Sequence, residues 1–127
     1  NTGSNFDSIV GLGATYSNPN TAAIYTWTAA DGDNGKVWFE VKDTGGGNKQ
    51  AYLSSALSVS SHTILGYVQS GTPALWIDGV QPAQTVSGAG TGIIGTQPAN
   101  VTLGLLGSSL PFQGTLSDFV VSRKGAP

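Results

Sequence analysis

The chain has 127 residues, of which 39% are hydrophobic and only 9% charged, with a net charge of −2 and no cysteine. That length fits a single domain over residues 1–127, with room for one core. Five scattered Lys and Arg form no basic patch and no apolar run approaches the ~20 residues of a bilayer span, which argues against nucleic acid, anionic membrane surfaces and membrane insertion, while absent cysteine excludes disulfides and thiolate zinc sites.

Glycine and proline punctuate the chain, and no window carries a helical stripe. The segments between them read as short strands at the spacing of a sandwich or barrel. In chain order the predicted strands are Ser8–Gly13, Ala22–Ala29, Lys36–Lys42, Gln50–Leu53, Thr63–Gln69, Ala74–Ile77, Gln84–Val86, Val101–Leu105 and Leu116–Ser122. Several alternate with period two, as half-buried strands do. Tyr25 and Trp27 oppose Ile24, Thr26 and Thr28; Val37, Phe39 and Val41 oppose Lys36, Trp38, Glu40 and Lys42. Asp33-Asn34-Gly35 and Asp78-Gly79 have the composition of tight turns with positive φ. Gly45-Gly46-Gly47-Asn48 and Ser87 to Gly95 are expected to be mobile loops. The opening Asn1-Thr2-Gly3, without methionine or a signal peptide, reads as a processed, mature chain.

Three pieces of the second half resemble laminin-G-like, concanavalin A-like sandwich domains. The first is the hairpin Thr63-Ile64-Leu65-Gly66-Tyr67-Val68 with Ala74-Leu75-Trp76-Ile77-Asp78-Gly79-Val80. The second is Val101-Thr102-Leu103-Gly104, and the third is Phe112-Gln113-Gly114-Thr115-Leu116-Ser117-Asp118-Phe119-Val120-Val121-Ser122-Arg123. The resemblance covers Ser61 to Arg123 and implies an all-β, two-sheet antiparallel jelly roll with one or more N-terminal strands shortened or missing. In such a fold Leu75 and Ile77 point into the core and Trp76 points away beside Asp78. Phe112 plugs one end, and a bulge near Asp118 lets Leu116, Phe119 and Val121 be buried together.

The same sandwich carries glycosidases, which place two carboxylates about 5–10 Å apart across a sugar bond. Glu40 is the only glutamate and stands between Trp38 and Lys42, so it reads as a solvated or Lys-paired strand residue. His62 is the only histidine; with Ser60-Ser61 before it and no nucleophile-elbow motif, it reads as structural. No catalytic residue is assigned and the chain is expected not to be an enzyme. Asp31, Asp33 and Asn34 form the candidate calcium loop, but Lys36 replaces the invariant glycine of an EF-hand and no glutamate follows at its twelfth position, so a polar turn is favoured and no cofactor is expected. Asn100-Val101-Thr102 matches a glycosylation sequon.

Sugar recognition combines an aromatic platform with planar polar groups. Trp38, Trp76, Tyr67 and Asp78 are the expected ligand-binding residues, since Trp38 and Trp76 are predicted to leave the core face. The hydroxyl- and amide-rich surface is that of secreted, cell-surface and virion proteins. The expected function is a non-catalytic carbohydrate-binding or adhesion module on a cell or virion surface, its partner a glycan. The alternative is a structural module of a virion decoration, tail or fibre, binding other protein subunits or copies of itself. Placement of the aromatics separates the two: a groove with polar neighbours favours sugar, a flat apolar patch favours assembly.

Overall fold

Period-two apolar patterning and glycine-rich turns give an all-β chain. The computed structural model describes residues 6–13, 18–27, 32–58, 60–95, 101–103, 115–118 and 120, and among them it holds eight strands and no helix. These are β1 (Phe6–Leu12), β2 (Thr21–Trp27), β3 (Val37–Lys42), β4 (Asn48–Leu53), β5 (Ile64–Gln69), β6 (Thr72–Ile77), β7 (Gln84–Ser87) and β8 (Val101–Leu103). The predicted strands between Ser8 and Leu105 all appear with small shifts at their ends. Positions 28, 29, 104 and 105 lie outside the described residues, as do Phe112, Gly114 and Asn100.

The predicted closing strand Leu116–Ser122 is the exception. Its described residues, 116–118 and 120, are exposed and belong to no strand. Asp118 takes φ 52°, a left-handed conformation that interrupts an extended backbone, so the expected burial of Leu116 is not met. Phe119 and Val121 lie outside the described residues.

Two antiparallel sheets result. The larger runs β7-β4-β3-β2-β1-β8 and the smaller is the β5–β6 hairpin. Along β1 the register slips between Ser8 and Val10, so Ile9 forms a bulge against β2. The chain leaves the large sheet after β4, forms the hairpin, and returns beside β4 as β7. Ala22, Val37, Phe39, Val41 and Leu53 of the large sheet then meet Leu75 and Ile77 of the hairpin in one core, with Ile24, Ile64 and Val68 around it. This is the two-layer arrangement of a sandwich, in which apolar inner faces interdigitate.

Gly66 decides how closely the layers approach. A Cβ at this position would stand 2.9 Å from Phe39 Cδ2 and 3.1 Å from Ile24 Cδ1, so the β5 backbone rests directly on both side chains. The hairpin's own turn is tight: Ser70 (φ 49°) and Gly71 (φ 74°) both take left-handed conformations, the type I′ geometry that matches strand twist.

The edge of β6 away from β5 is closed residue by residue. Pro73 has no N–H to leave unpaired. The Gln84 side chain accepts from Leu75 N (2.8 Å) and donates to Leu75 O (3.3 Å), imitating a strand partner. Ile77 exchanges both backbone bonds with Val80 across the Asp78-Gly79 turn, at 2.8 and 2.9 Å. Open strand edges invite non-native pairing, and this one is occupied at Leu75 and Ile77 and lacks a donor at Pro73.

Two expectations about loops are corrected. In Asp33-Asn34-Gly35 only Gly35 has positive φ (78°), and the turn sits on a longer connection, because β2 ends at Trp27 and β3 begins at Val37. The two loops expected to be mobile are tied together by Asp43. Its Oδ1 accepts from Gly45 N and Gly47 N (3.0 and 2.8 Å), and its Oδ2 accepts from Thr91 N and Thr91 Oγ1 (2.8 and 3.0 Å). Gly90 N adds a bond to Asn48 O at 2.8 Å. Four donors, the Thr91 amide first, hold the Asp43 carboxyl below the usual carboxylate range.

Candidate functional site

Successive side chains of a strand point to opposite faces, so the hairpin that buries Ile64, Val68, Leu75 and Ile77 must present Leu65, Tyr67, Ala74 and Trp76 outward. Leu65 pairs with Trp76 and Tyr67 with Ala74, which sets Tyr67 and Trp76 on a diagonal with the small Ala74 between them. Both rings are accessible, Tyr67 at 44% and Trp76 at 37%. Between and around them lies an open groove of about 410 Å³ lined by Tyr67, Gln69, Ser70, Thr72, Ala74, Trp76 and Gln81. Its volume falls within the range of small-ligand sites. From Trp76 at one end to Thr72 at the other it follows four residue steps of β6, a length of ~13 Å.

Gln81 reaches the groove from the turn that follows β6, and that turn is fixed by a polar cluster. Asp78 has φ 53° and Gly79 φ 81°, a second type I′ geometry. Asp78 Oδ1 accepts from Thr63 N (2.8 Å), and its Oδ2 lies 2.7 Å from His62 Nδ1. The other ring nitrogen, Nε2, faces Ser60 Oγ (2.8 Å), Ser58 Oγ (3.1 Å) and Ser58 O (3.2 Å). Nδ1 therefore carries a proton toward the carboxylate, and in the imidazolium Nε2 donates to the serine loop as well. The bond to Asp78 raises the His62 pKa above its ordinary value, and the same bond, reinforced by Thr63 N, lowers that of Asp78.

Serine, histidine and aspartate thus stand in relay order, a juxtaposition the sequence reading did not assemble. The signal was present in the spacing, because His62 and Asp78 flank a paired hairpin. The cluster clasps the Asp78-Gly79 turn to the serine loop. Nε2 is shared among three groups of that loop, and the Ser60 hydroxyl also lies 3.1 Å from that of Ser58.

Of the four expected ligand-binding residues, Tyr67 and Trp76 share the groove, and Asp78 lies just beyond it with its carboxylate committed to His62 and Thr63. Trp38 does not join them. It sits on the face of the large sheet opposite the shared core, 9% exposed, in a second cluster with Ala23 and Tyr25 flanked by Trp27 and Tyr52. Its ring stacks on Tyr52 at 4.1 Å and Tyr25 at 6.1 Å between centroids, and lies tilted to Trp27 at 5.6 Å. Glu40, expected to be solvated or Lys-paired, is buried on that face at 2% exposure. It accepts from the Tyr25 hydroxyl at 3.2 Å, with Lys42 Nζ 3.9 Å from its other oxygen.

For the candidate calcium loop, Asp33 is ion-paired to Lys36, Asn34 is exposed, and Asp31 lies outside the described residues. Among the described residues no three acidic or imidazole groups converge as a metal would require. No family model matches the chain, and no curated protein or solved structure is significantly similar to it.

Proposed function

We propose that this protein is a non-catalytic carbohydrate-binding or adhesion module that holds glycan in the groove on the outer face of the β5–β6 hairpin. The observation that carries the reading is the composition of that groove: two accessible rings, two primary amides and two aliphatic hydroxyls line one open surface. Rings accept the C–H face of a sugar, and amides and hydroxyls pair with its hydroxyl groups. The lower walls are rigid because the hairpin beneath them is packed through Leu75 and Ile77 and pinned by Gln84. A rigid platform loses little entropy on binding. The order of the hairpin and Val101-Thr102-Leu103-Gly104 supports a laminin-G-like jelly roll, and the uncharged, hydroxyl-rich surface supports a place on a cell or virion surface. Probing an oligosaccharide array with the intact protein and with Trp76→Ala tests the reading. Binding that disappears in the variant supports it, and an array silent for both sinks it.

One observation favours assembly as a second reading. Leu65 (54% exposed) lies beside Trp76 on the outer face, which extends the apolar strip beyond the groove. A protein subunit or second copy would cover all of it. Light scattering on Leu65→Asp decides: a mass that falls to that of the monomer supports assembly, and a wild type already monomeric at high concentration removes self-association.

A further inference from the structure

From the charges around the groove, we infer that its ligand is a short neutral oligosaccharide, bound without a metal ion. The inference rests on the carbohydrate reading above and narrows it. None of the seven residues lining the groove carries a charge. An acidic sugar brings a carboxylate or sulfate that must find a cation or lose its water uncompensated, and among the described residues the groove offers it neither lysine nor arginine. The nearest ionised group on the hairpin is Asp78, two residues past Trp76 and kept anionic by His62 and Thr63.

Among the described residues no carboxylate lines the groove, which argues against calcium as the bridge to sugar hydroxyls. Calcium takes six to eight oxygens, normally with carboxylates among them. The groove supplies only amide, hydroxyl and phenol oxygens. Recognition then falls to the amides of Gln69 and Gln81 and the hydroxyls of Ser70 and Thr72, groups that both donate and accept, as neighbouring sugar hydroxyls do. A run of ~13 Å exceeds one pyranose ring, so a short oligosaccharide fills it where a monosaccharide does not.

Calorimetry with the intact protein tests this against neutral cello-, malto- and galacto-oligosaccharides and against oligogalacturonate and sulfated oligosaccharides, with and without chelator, at low and high salt. The expected result is binding of a neutral series that strengthens from one to several sugar units, is unmoved by chelator, and changes by less than about twofold with salt because no ion pair is screened. Gln81→Ala should weaken it, and Gln81→Lys should raise the affinity for oligogalacturonate. Preferential binding of the acidic series, or loss of neutral binding in chelator, overturns the inference and leaves the carbohydrate reading standing. Binding of neither series overturns both.

Discussion

The molecule has two aromatic groups that look alike in sequence and differ in what surrounds them. Tyr25, Trp27, Trp38 and Tyr52 occupy adjacent strands of the six-stranded sheet; Tyr67 and Trp76 occupy a two-stranded hairpin. In both, the ring alternates with core residues and points away from the shared core. On the large sheet, register brings Tyr25, Trp38 and Tyr52 into one row across β2, β3 and β4, and the rings bury one another. On the hairpin, Trp76 lies opposite Leu65, Tyr67 opposite Ala74, and both rings stay accessible. A ring's role thus depends on how many neighbouring strands bring further rings beside it. The first group serves stability, the second is available to a ligand.

Substituting the two tryptophans breaks the comparison most sharply. Trp38→Ala should destabilise by about 3–5 kcal/mol, the cost of removing a buried aromatic ring. Trp76→Ala should stay within about 0.5–1 kcal/mol of wild type, since an accessible ring loses little packing, while glycan binding is lost. Urea titration measures both. Equal losses would mean that the hairpin ring is structural too. The buried indole carries its own cost, because Trp38 Nε1 has no hydrogen-bond partner among the described residues.

Gly66→Ala comes next. The new methyl would enter the Phe39 ring and the Ile24 tip, and overpacking of that kind costs about 1–3 kcal/mol. The hairpin would have to lift from the large sheet, so the groove's floor should move with it and both melting temperature and binding should fall. A variant as stable as wild type would show that the layers are not held at this distance.

These expectations also mark how far the sequence could be read. The strands between Ser8 and Leu105 were legible because their period is local, unlike the expected strand Leu116–Ser122, and so was the outward direction of Trp76, fixed by Leu75 and Ile77 on either side. Burial of Trp38 and Glu40 was not legible. Alternation in Val37-Trp38-Phe39-Glu40-Val41 gives one apolar and one mixed face, as in a strand wet on one side, yet all five residues are buried. On that face Trp38 stacks between Tyr25 and Tyr52 and Glu40 meets the Tyr25 hydroxyl, contacts that are a non-local consequence of register. Asp43 was missed for the same reason: three glycines announce a loose turn, and the threonine that ties it down lies 48 residues away.

Asp43→Asn should show a smaller, pH-dependent loss. The carboxylate's folded pKa is depressed, so its stabilisation is present above the unfolded value near 3.8 and is lost as pH falls through the folded value. Wild type should therefore lose stability on acidification more steeply than the variant, whose amide does not titrate. Parallel acid limbs in thermal melts would show that the four bonds contribute nothing specific to the ionised form.

The smallest effect belongs to the His62–Asp78 clasp, and its sign differs on the two sides of neutrality. His62 has a raised folded pKa, so its contribution is complete below the unfolded value near 6.5 and fades as pH rises through the folded value. Asp78 has a lowered folded pKa, so its contribution is complete above about 3.8 and fades as pH falls through the folded value. The clasp is strongest between those limits. His62→Gln, unable to form the imidazolium pair, should flatten the stability profile across the upper limit and leave the alkaline side nearly unchanged. Deprotonation need not open the loop, because neutral His62 still donates from Nδ1 to Asp78 while Nε2 accepts from a serine hydroxyl. Glycan binding at Tyr67 and Trp76 should accordingly change little with pH, although the clasp fixes the turn that delivers Gln81. Nuclear magnetic resonance titration of the single imidazole gives its pKa directly. A value at or below that of free histidine would dissolve the clasp, and with it the account of how the Gln81 end of the groove is held.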